Sequence, residues 1–295
     1  MIEIEEYILP GNAACQGCPS TMCLRIVLKA LKGKAVLVVP ASCTSVYMGA
    51  YPNTAIKVPV FNCAFASAAA TATGIKAALD FYNEDCEVVV WAGDGGTYDI
   101  GLQALSGAAE RGENVIYICY NNEMYSNTGI QRSGATPYGA WTNTTVSGKR
   151  EHRKDISEIL LSHNIPYLAT ASAGYLRDLY KKVKRALKFE GFRYIEILAP
   201  CPPGWKFPMN KTVEIGKLAV ESGMWILYEA INGRIRLTGI SKLIAEGKKK
   251  MRDLRDYLKA QGRFANISEE DLAEIERYRN KRWKKLLDFN SKLVD

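Results

Sequence analysis

No stretch of this 295-residue sequence is both long and apolar enough to span a membrane. Residues 35–56 and 58–75 lack charge over the required length, but Pro40, Pro52, Asn53, Pro59 and Asn62 interrupt them. Their Ser, Thr and Ala also supply too little hydrocarbon. The first residues, Met-Ile-Glu-Ile-Glu-Glu, are acidic where a secretory signal is basic, so a soluble, cytoplasmic protein is expected. Histidine is nearly absent. His152 and His163 are the two present, and both are expected at the surface or as capping residues rather than as general bases. No internal repeat is visible. The composition, 47% hydrophobic and 24% charged, excludes disorder, collagen and coiled coil for most of the chain.

Acidic side chains are outnumbered by basic ones, and the net charge is +8. The excess is uneven: residues 1–140 are net −4, residues 141–240 net +7 and residues 241–295 net +5. Acidic residues are interleaved with the basic ones, as on a solvated helix, and the recognised nucleic-acid-binding motifs are missing. Nucleic acid is therefore not expected as a partner; an acidic protein would use the same field.

What is present is an alternation. Apolar runs without polar interruption occur at residues 35–40, 87–93, 114–120 and 193–199, as strands buried on both faces of a parallel sheet require. Helical spacing of apolar residues separates them, at residues 21–31, 64–82, 100–111 and 174–189. The pattern predicts an α/β fold, a mostly parallel sheet with helices on both faces, in which ligands bind where strand C-terminal ends meet helix N-termini. Residues 133–148 are uncharged and rich in Gly, Thr and Ser, a loop long enough to be functional. After residue 240 the sequence becomes helical and charged. The expected division is a main domain over 1–240 and a C-terminal helical extension over 241–295, packed on it.

The first chemical motif follows the run at 87–93. Gly93, Gly95 and Gly96 let the backbone turn sharply and approach a phosphate, and Asp94 projects an oxygen at the strand end. A second strand end delivers Asn122, 28 residues later. A carboxylate and an amide oxygen from adjacent strand ends, with a backbone carbonyl and two phosphate oxygens, form a hard octahedral set suited to Mg²⁺. The dinucleotide pattern G-x-G-x-x-G is not met. This spacing of GDG and Asn resembles the thiamine diphosphate motif, and that resemblance implies Asp94 and Asn122 as side-chain ligands of the metal and Met124 as a carbonyl ligand.

The second motif is made of cysteine. Eight cysteines in a cytoplasmic protein point to metal binding or catalysis rather than disulfides. Cys15 and Cys18 form a C-x-x-C turn followed by Pro19, Cys43 stands just after the run at 35–40, and Cys201 just after the run at 193–199. Four such thiolates suit zinc or a 4Fe-4S cluster. Cys86 and Cys119 flank or occupy strands and Cys23 and Cys63 lie in helical contexts, so these four are expected to be structural.

Residues 10–18, PGNAACQGC, 121–129, NNEMYSNTG, and 131–133, QRS, together with 136–141, 201–205 and 257–264, resemble the β subunit of the 2-oxoacid:ferredoxin oxidoreductases, pyruvate:ferredoxin oxidoreductase-like. The resemblance covers nearly the whole chain and implies the thiamine diphosphate-binding fold. It implies oxidative decarboxylation of a 2-oxoacid, pyruvate above others, with electrons leaving through a 4Fe-4S cluster on Cys15, Cys18, Cys43 and Cys201 toward ferredoxin. Gly93, Asp94, Gly95, Gly96, Asn122, Met124, Tyr125 and Cys43 would contact the cofactor, and Asn127 would face the substrate. No glutamate here suits activation of the aminopyrimidine, because Glu123 directly follows a metal ligand. In the family the α subunit supplies that glutamate, with γ and δ subunits or their fusion completing the complex and CoA as a further substrate. The chain departs from the family at Ala41-Ser42-Cys43, where many relatives have Gly before the Cys, and at residues 62–67, where pyruvate enzymes more often carry an acidic segment. A non-oxidative thiamine enzyme would not need the four cysteines, and an electron-transfer module would not need GDG.

Overall fold

The structure, a computed structural model, describes residues 5–291; the first four residues of the acidic start, and residues 292–295, lie outside that range. The elements follow in the order α1 (Pro19–Leu31), β1 (Ala35–Pro40), α2 (Cys43–Tyr47), β2 (Val60–Cys63), α3 (Ala68–Phe81), β3 (Glu87–Gly93), α4 (Leu102–Glu110), β4 (Ile116–Asn121), α5 (Ile156–Leu161) and β5 (Tyr167–Ser172). Then come α6 (Leu176–Ala186), β6 (Arg193–Leu198), α7 (Pro202–Trp205), α8 (Thr212–Glu221), β7 (Tyr228–Ile231), β8 (Arg234–Leu237), α9 (Gly239–Ala245), α10 (Leu254–Lys259) and α11 (Glu269–Ser291). The strands form one sheet in the order β2-β1-β3-β4-β6-β5-β7-β8. The first six are parallel, and β7 and β8 add an antiparallel hairpin at one edge.

The uninterrupted apolar runs have a direct structural reason. Along β3, Val89 and Trp91 enter one core while Val88, Val90 and Ala92 enter the other, so successive side chains are buried on opposite faces. The first core is covered by α1 and α6, through Leu24, Val27, Leu28, Leu179 and Val183. The second lies under α3 and α4, whose small Ala69, Ala72 and Ala108 let those helices approach the sheet. A third core gathers Trp205, Ile215, Leu218, Tyr257, Leu258 and Ile275 from α7, α8, α10 and α11.

Several boundaries differ from expectation. The helix expected at 100–111 is preceded by a π-helical turn, Gly95–Asp99, before α4 begins at Leu102. Cys63 is not in a helix; it ends β2, whose pairing with β1 places it opposite Pro40. Strands β2, β5, β7 and β8 did not stand out in the sequence, because they are short or built from Ala, Thr, Ser and charged residues. Among the described residues no helix is long and apolar enough to cross a membrane.

Helix α11 is tied to the sheet side of the second core by Trp283, whose indole N–H donates to the Gly223 carbonyl at 2.8 Å, and Lys285 reaches Glu158 in the first turn of α5. Removing a buried indole of this kind costs about 3–5 kcal/mol. Trp283→Ala is therefore expected to lower the unfolding free energy from urea transitions by that much while the parent's circular dichroism is kept at low denaturant; an unchanged transition would show that α11 contributes no stability through this contact.

Candidate cofactor and cluster site

Because six strands run parallel, their C-terminal ends share one edge. Gly93 pairs with Tyr120 and Asn121 with Leu198, which sets the residues after β3, β4 and β6 side by side. Asp94 follows β3 and is 1% exposed. One carboxylate oxygen accepts the backbone N–H of Asn122 at 3.2 Å, and the other accepts the hydroxyl of Ser133, the first residue of the long uncharged segment. Burial, with the Glu123 charge acting in the same direction, pushes the Asp94 carboxyl up to about 7 against these hydrogen bonds. A buried carboxylate with oxygen neighbours fits a divalent ion.

The second strand end is a tight turn. The Asn122 side-chain oxygen accepts the N–H of Met124 at 3.3 Å, and Glu123 between them adopts a positive φ of 62°. The Trp205 indole donates to the Asn122 carbonyl at 2.7 Å and Thr136 donates to the Glu123 carbonyl at 2.6 Å. Among the described residues the Met124 carbonyl takes no backbone donor. Asp94, Asn122 and Met124 therefore present hard oxygen atoms from two neighbouring turns. Gly95 and Gly96 are covered by aromatic rings: a methyl group on Gly95 would meet the Tyr125 ring at 2.1 Å, and one on Gly96 would meet Phe65 at 3.2 Å. The Tyr125 hydroxyl is anchored on Asp99 at 2.7 Å.

Glu123 points away from this edge into a buried network that sequence reasoning did not find. Its carboxylate accepts from Arg263 at 2.7 Å and from Arg153 at 3.3 Å. Arg153 continues to Tyr98 at 2.9 Å and to Glu196 at 3.3 Å, and Asn121 donates to Glu196 at 2.7 Å. Tyr98 also donates to Glu196. The one sequence signal was Glu196 itself, a charge in the middle of an apolar strand.

Three of the four cysteines of the second motif come to the same edge by a shared device, a helix start, and Cys15 joins them from the turn before α1. Cys18 is the N-cap of α1 with Pro19 at its first position, Cys201 is the N-cap of α7 with Pro202 likewise, and Cys43 opens α2. Burial raises the Cys18 and Cys201 thiols, while N–H groups of Ser20 and Thr21 for the one and Gly204 for the other oppose it. Burial, with Cys201, Cys18 and Cys15 nearby, pushes Cys43 up to about 12. Gly17, at φ 70°, makes the Cys15–Cys18 turn possible: a methyl group there would meet the Met209 carbonyl at 2.1 Å. Among the described residues no three His, Cys, Asp or Glu side chains close on a single ion. Backbone amides beside Cys18 and Cys201 favour their thiolates, the form in which cysteine binds either zinc or an iron-sulfur cluster.

Asn127 is exposed on the turn after Met124. Cys23 and Cys119 are buried, Cys86 lies just before β3, and all eight cysteines are free. His152 contacts Glu274 at 2.6 Å and His163 contacts Ser106 at 3.1 Å.

The chain is similar to several known proteins. The model of the thiamine pyrophosphate enzyme, C-terminal TPP binding domain, matches residues 40–197, a span that includes Asp94 and Asn122. Ketoisovalerate oxidoreductase subunit VorB of Pyrococcus furiosus is 43% identical over 296 residues, covering 97% of this chain and 94% of that one. Pyruvate synthase subunit PorB of Methanothermobacter thermautotrophicus is 46% identical over 280 residues, covering 93% and 95%. The solved 2-oxoglutarate:ferredoxin oxidoreductase from Magnetococcus marinus, with 2-oxoglutarate, coenzyme A and succinyl-CoA bound, shares the fold at a TM-score of 0.60 and 22% identity, covering 73% of this chain and 81% of that chain.

Tyr98→Phe removes a hydroxyl shared by Glu196, Arg153 and Asn121 without changing shape. It is expected to cost about 1–3 kcal/mol, the range for a buried polar group left unpaired, measured as a shift in the thermal or urea transition. No shift would mean that the network tolerates loss of its central donor.

Proposed function

We propose, because this chain belongs to the thiamine diphosphate-binding β subunits of the 2-oxoacid:ferredoxin oxidoreductases, that it carries the diphosphate and electron-exit half of a shared active site. The observation that carries the reading is that Asp94 and Asn122, from neighbouring strand ends, stand on the same edge as Cys18, Cys43 and Cys201. Asp94, Asn122 and the Met124 carbonyl would hold Mg²⁺ and through it the diphosphate, with the backbone of Gly93, Gly95 and Gly96 nearby. Cys15, Cys18, Cys43 and Cys201 would hold a 4Fe-4S cluster.

When bound, thiamine diphosphate supplies the carbon nucleophile for the keto group and the acceptor for the electrons left by loss of CO₂. This chain's residues provide the setting. Ser133 and the Asn122 N–H orient the Asp94 carboxylate, and Phe65 and Tyr125 shield the glycine turn from water. Asn127, exposed on the turn after Met124, would meet substrate. Helix N-terminal amides at Cys18 and Cys201 favour the thiolate form that an iron cluster requires. Glu123 is engaged by two arginines and does not serve as the acid that activates the aminopyrimidine ring. An α subunit would supply that group, with ferredoxin or a ferredoxin-like subunit receiving electrons. Similar proteins carry both pyruvate and ketoisovalerate names; pyruvate is the first substrate to test.

The test is anaerobic, 2-oxoacid-dependent ferredoxin reduction by the chain alone and by the complex that co-purifies with it. Pyruvate, 2-oxoisovalerate, 2-oxoglutarate and oxalate are compared with and without CoA. Turnover is expected in the complex, fastest with pyruvate, and absent in the isolated chain; full turnover by the isolated chain would sink the shared-site reading. Cys18→Ser is expected to lose iron and sulfide on anaerobic analysis while Cys86→Ser keeps them. Stoichiometric zinc without iron in fresh protein would remove the cluster.

A further inference from the structure

The turn bearing Asn122 and Met124 is gripped from behind by a side chain 140 residues further along the sequence from Glu123. Arg263 lies in the segment between α10 and α11, and its side chain is fully buried. Its guanidinium donates to Glu123 at 2.7 Å, to the Gln261 side-chain oxygen at 2.8 Å and to the Tyr257 hydroxyl at 3.3 Å. Its flat face lies 3.5 Å over the Trp205 ring. That same indole holds the Asn122 carbonyl. The arginine thus reaches the turn twice, once through the Glu123 carboxylate and once through Trp205.

These contacts fix what the turn cannot fix for itself. Glu123 carries a side chain in the left-handed region that glycine favours, so its conformation must be imposed by its surroundings. The Glu123 N–H donates to the Asn121 side-chain oxygen at 2.9 Å and Thr136 takes its carbonyl, which pins both peptides around it. Those contacts are local to the turn; Arg263 adds the long-range tie, holding the Glu123 carboxylate and, through the Trp205 ring it stacks on, the Asn122 carbonyl. Arg153 also meets Glu123, at the longer distance of 3.3 Å, but makes no link to the Trp205 side of the turn.

We propose that Arg263 is a positioning residue for the metal-diphosphate site, setting the direction of the Asn122 and Met124 oxygens through Glu123 and Trp205. The inference rests on reading Asp94, Asn122 and Met124 as metal ligands. Residues that orient ligands from behind are worth about 10–100-fold in metal affinity in known sites. A lysine would keep the charge facing Glu123 but lose the planar face on Trp205 and the forked donors, so its effect is intermediate.

The experiment titrates thiamine diphosphate into the full-length chain by calorimetry at a series of Mg²⁺ concentrations and reads the half-saturating Mg²⁺. Arg263→Gln is expected to raise it about 10–100-fold, Arg263→Lys less, and Trp205→Phe, which keeps the ring but loses the indole donor, in the same direction. Arg279→Lys is the control. That arginine is also buried, but it holds the Ser222 carbonyl and Glu276 and does not touch the turn, so it is expected to lower thermal stability and leave the Mg²⁺ requirement unchanged. If Arg263→Gln fails to fold, Arg263→Lys and Trp205→Phe decide the matter. Asp94→Ala separates the two levels. Parent-like binding in Asp94→Ala overturns the ligand assignment and this inference with it. Loss of binding there beside a parent-like Mg²⁺ requirement in Arg263→Lys and Trp205→Phe overturns this inference alone.

Discussion

Two buried carboxylates facing two buried guanidiniums are the constraint on which the functional edge depends. Glu123, Glu196, Arg153 and Arg263 are all less than a tenth exposed, and none could stand alone there as an ion. Burial works against charge on Arg153, but Tyr98, Glu196 and Glu123 outweigh it and hold its pKa well above the usual range. Such pairs add little net stability compared with apolar packing, and their value is geometric: each partner has a restricted set of places to be. Here they fix the turn after β4 relative to β6, to the residues just before α5, and to the segment after α10.

The same edge presents donors of opposite character. Hard oxygens come from the ends of β3 and β4 in the middle of the sheet, where Asp94 is shielded from water and the Glu123 charge adds to the effect of burial. Soft sulfur comes from helix starts to either side, where amide groups are free to meet negative charge. One packed unit connects them: Trp205, four residues after Cys201, holds the Asn122 carbonyl, and a methyl group on Gly204 would meet the Met124 sulfur at 2.3 Å and the Cys201 sulfur at 3.4 Å. The oxygen set and the thiol set therefore cannot shift independently.

Much of this was legible in sequence, and the reason is locality. The glycines and Asp94 act through a single strand-to-helix turn, and Asn122 repeats that logic one strand later. The Cys-Pro pairs at 18–19 and 201–202 are helix starts that can be read directly. The antiparallel hairpin was legible but overlooked: Asn232 and Gly233, both at positive φ, are the two-residue turn that an Asn-Gly pair signals between strands. Strand β5, YLATAS, was hidden because small and polar residues fill a strand whose burial comes from α6 and α8 rather than from its own hydrophobicity. Glu123, Arg153 and Arg263 were beyond local reasoning, since nothing near Arg263 in sequence says that its partner lies on another turn. The helices after residue 240 supply Tyr257, Leu258, Ile275 and Trp283 to two of the three cores.

The distance in sequence between Glu123 and Arg263 also orders events in time. A chain growing at about 5–20 residues per second needs on the order of ten seconds to make the arginine after the glutamate has been made. Through that interval the strand ends bearing Asp94 and Asn122 already exist, but the Glu123 carboxylate has no Arg263 to face, so this long-range contact closes only after the local turns have been made.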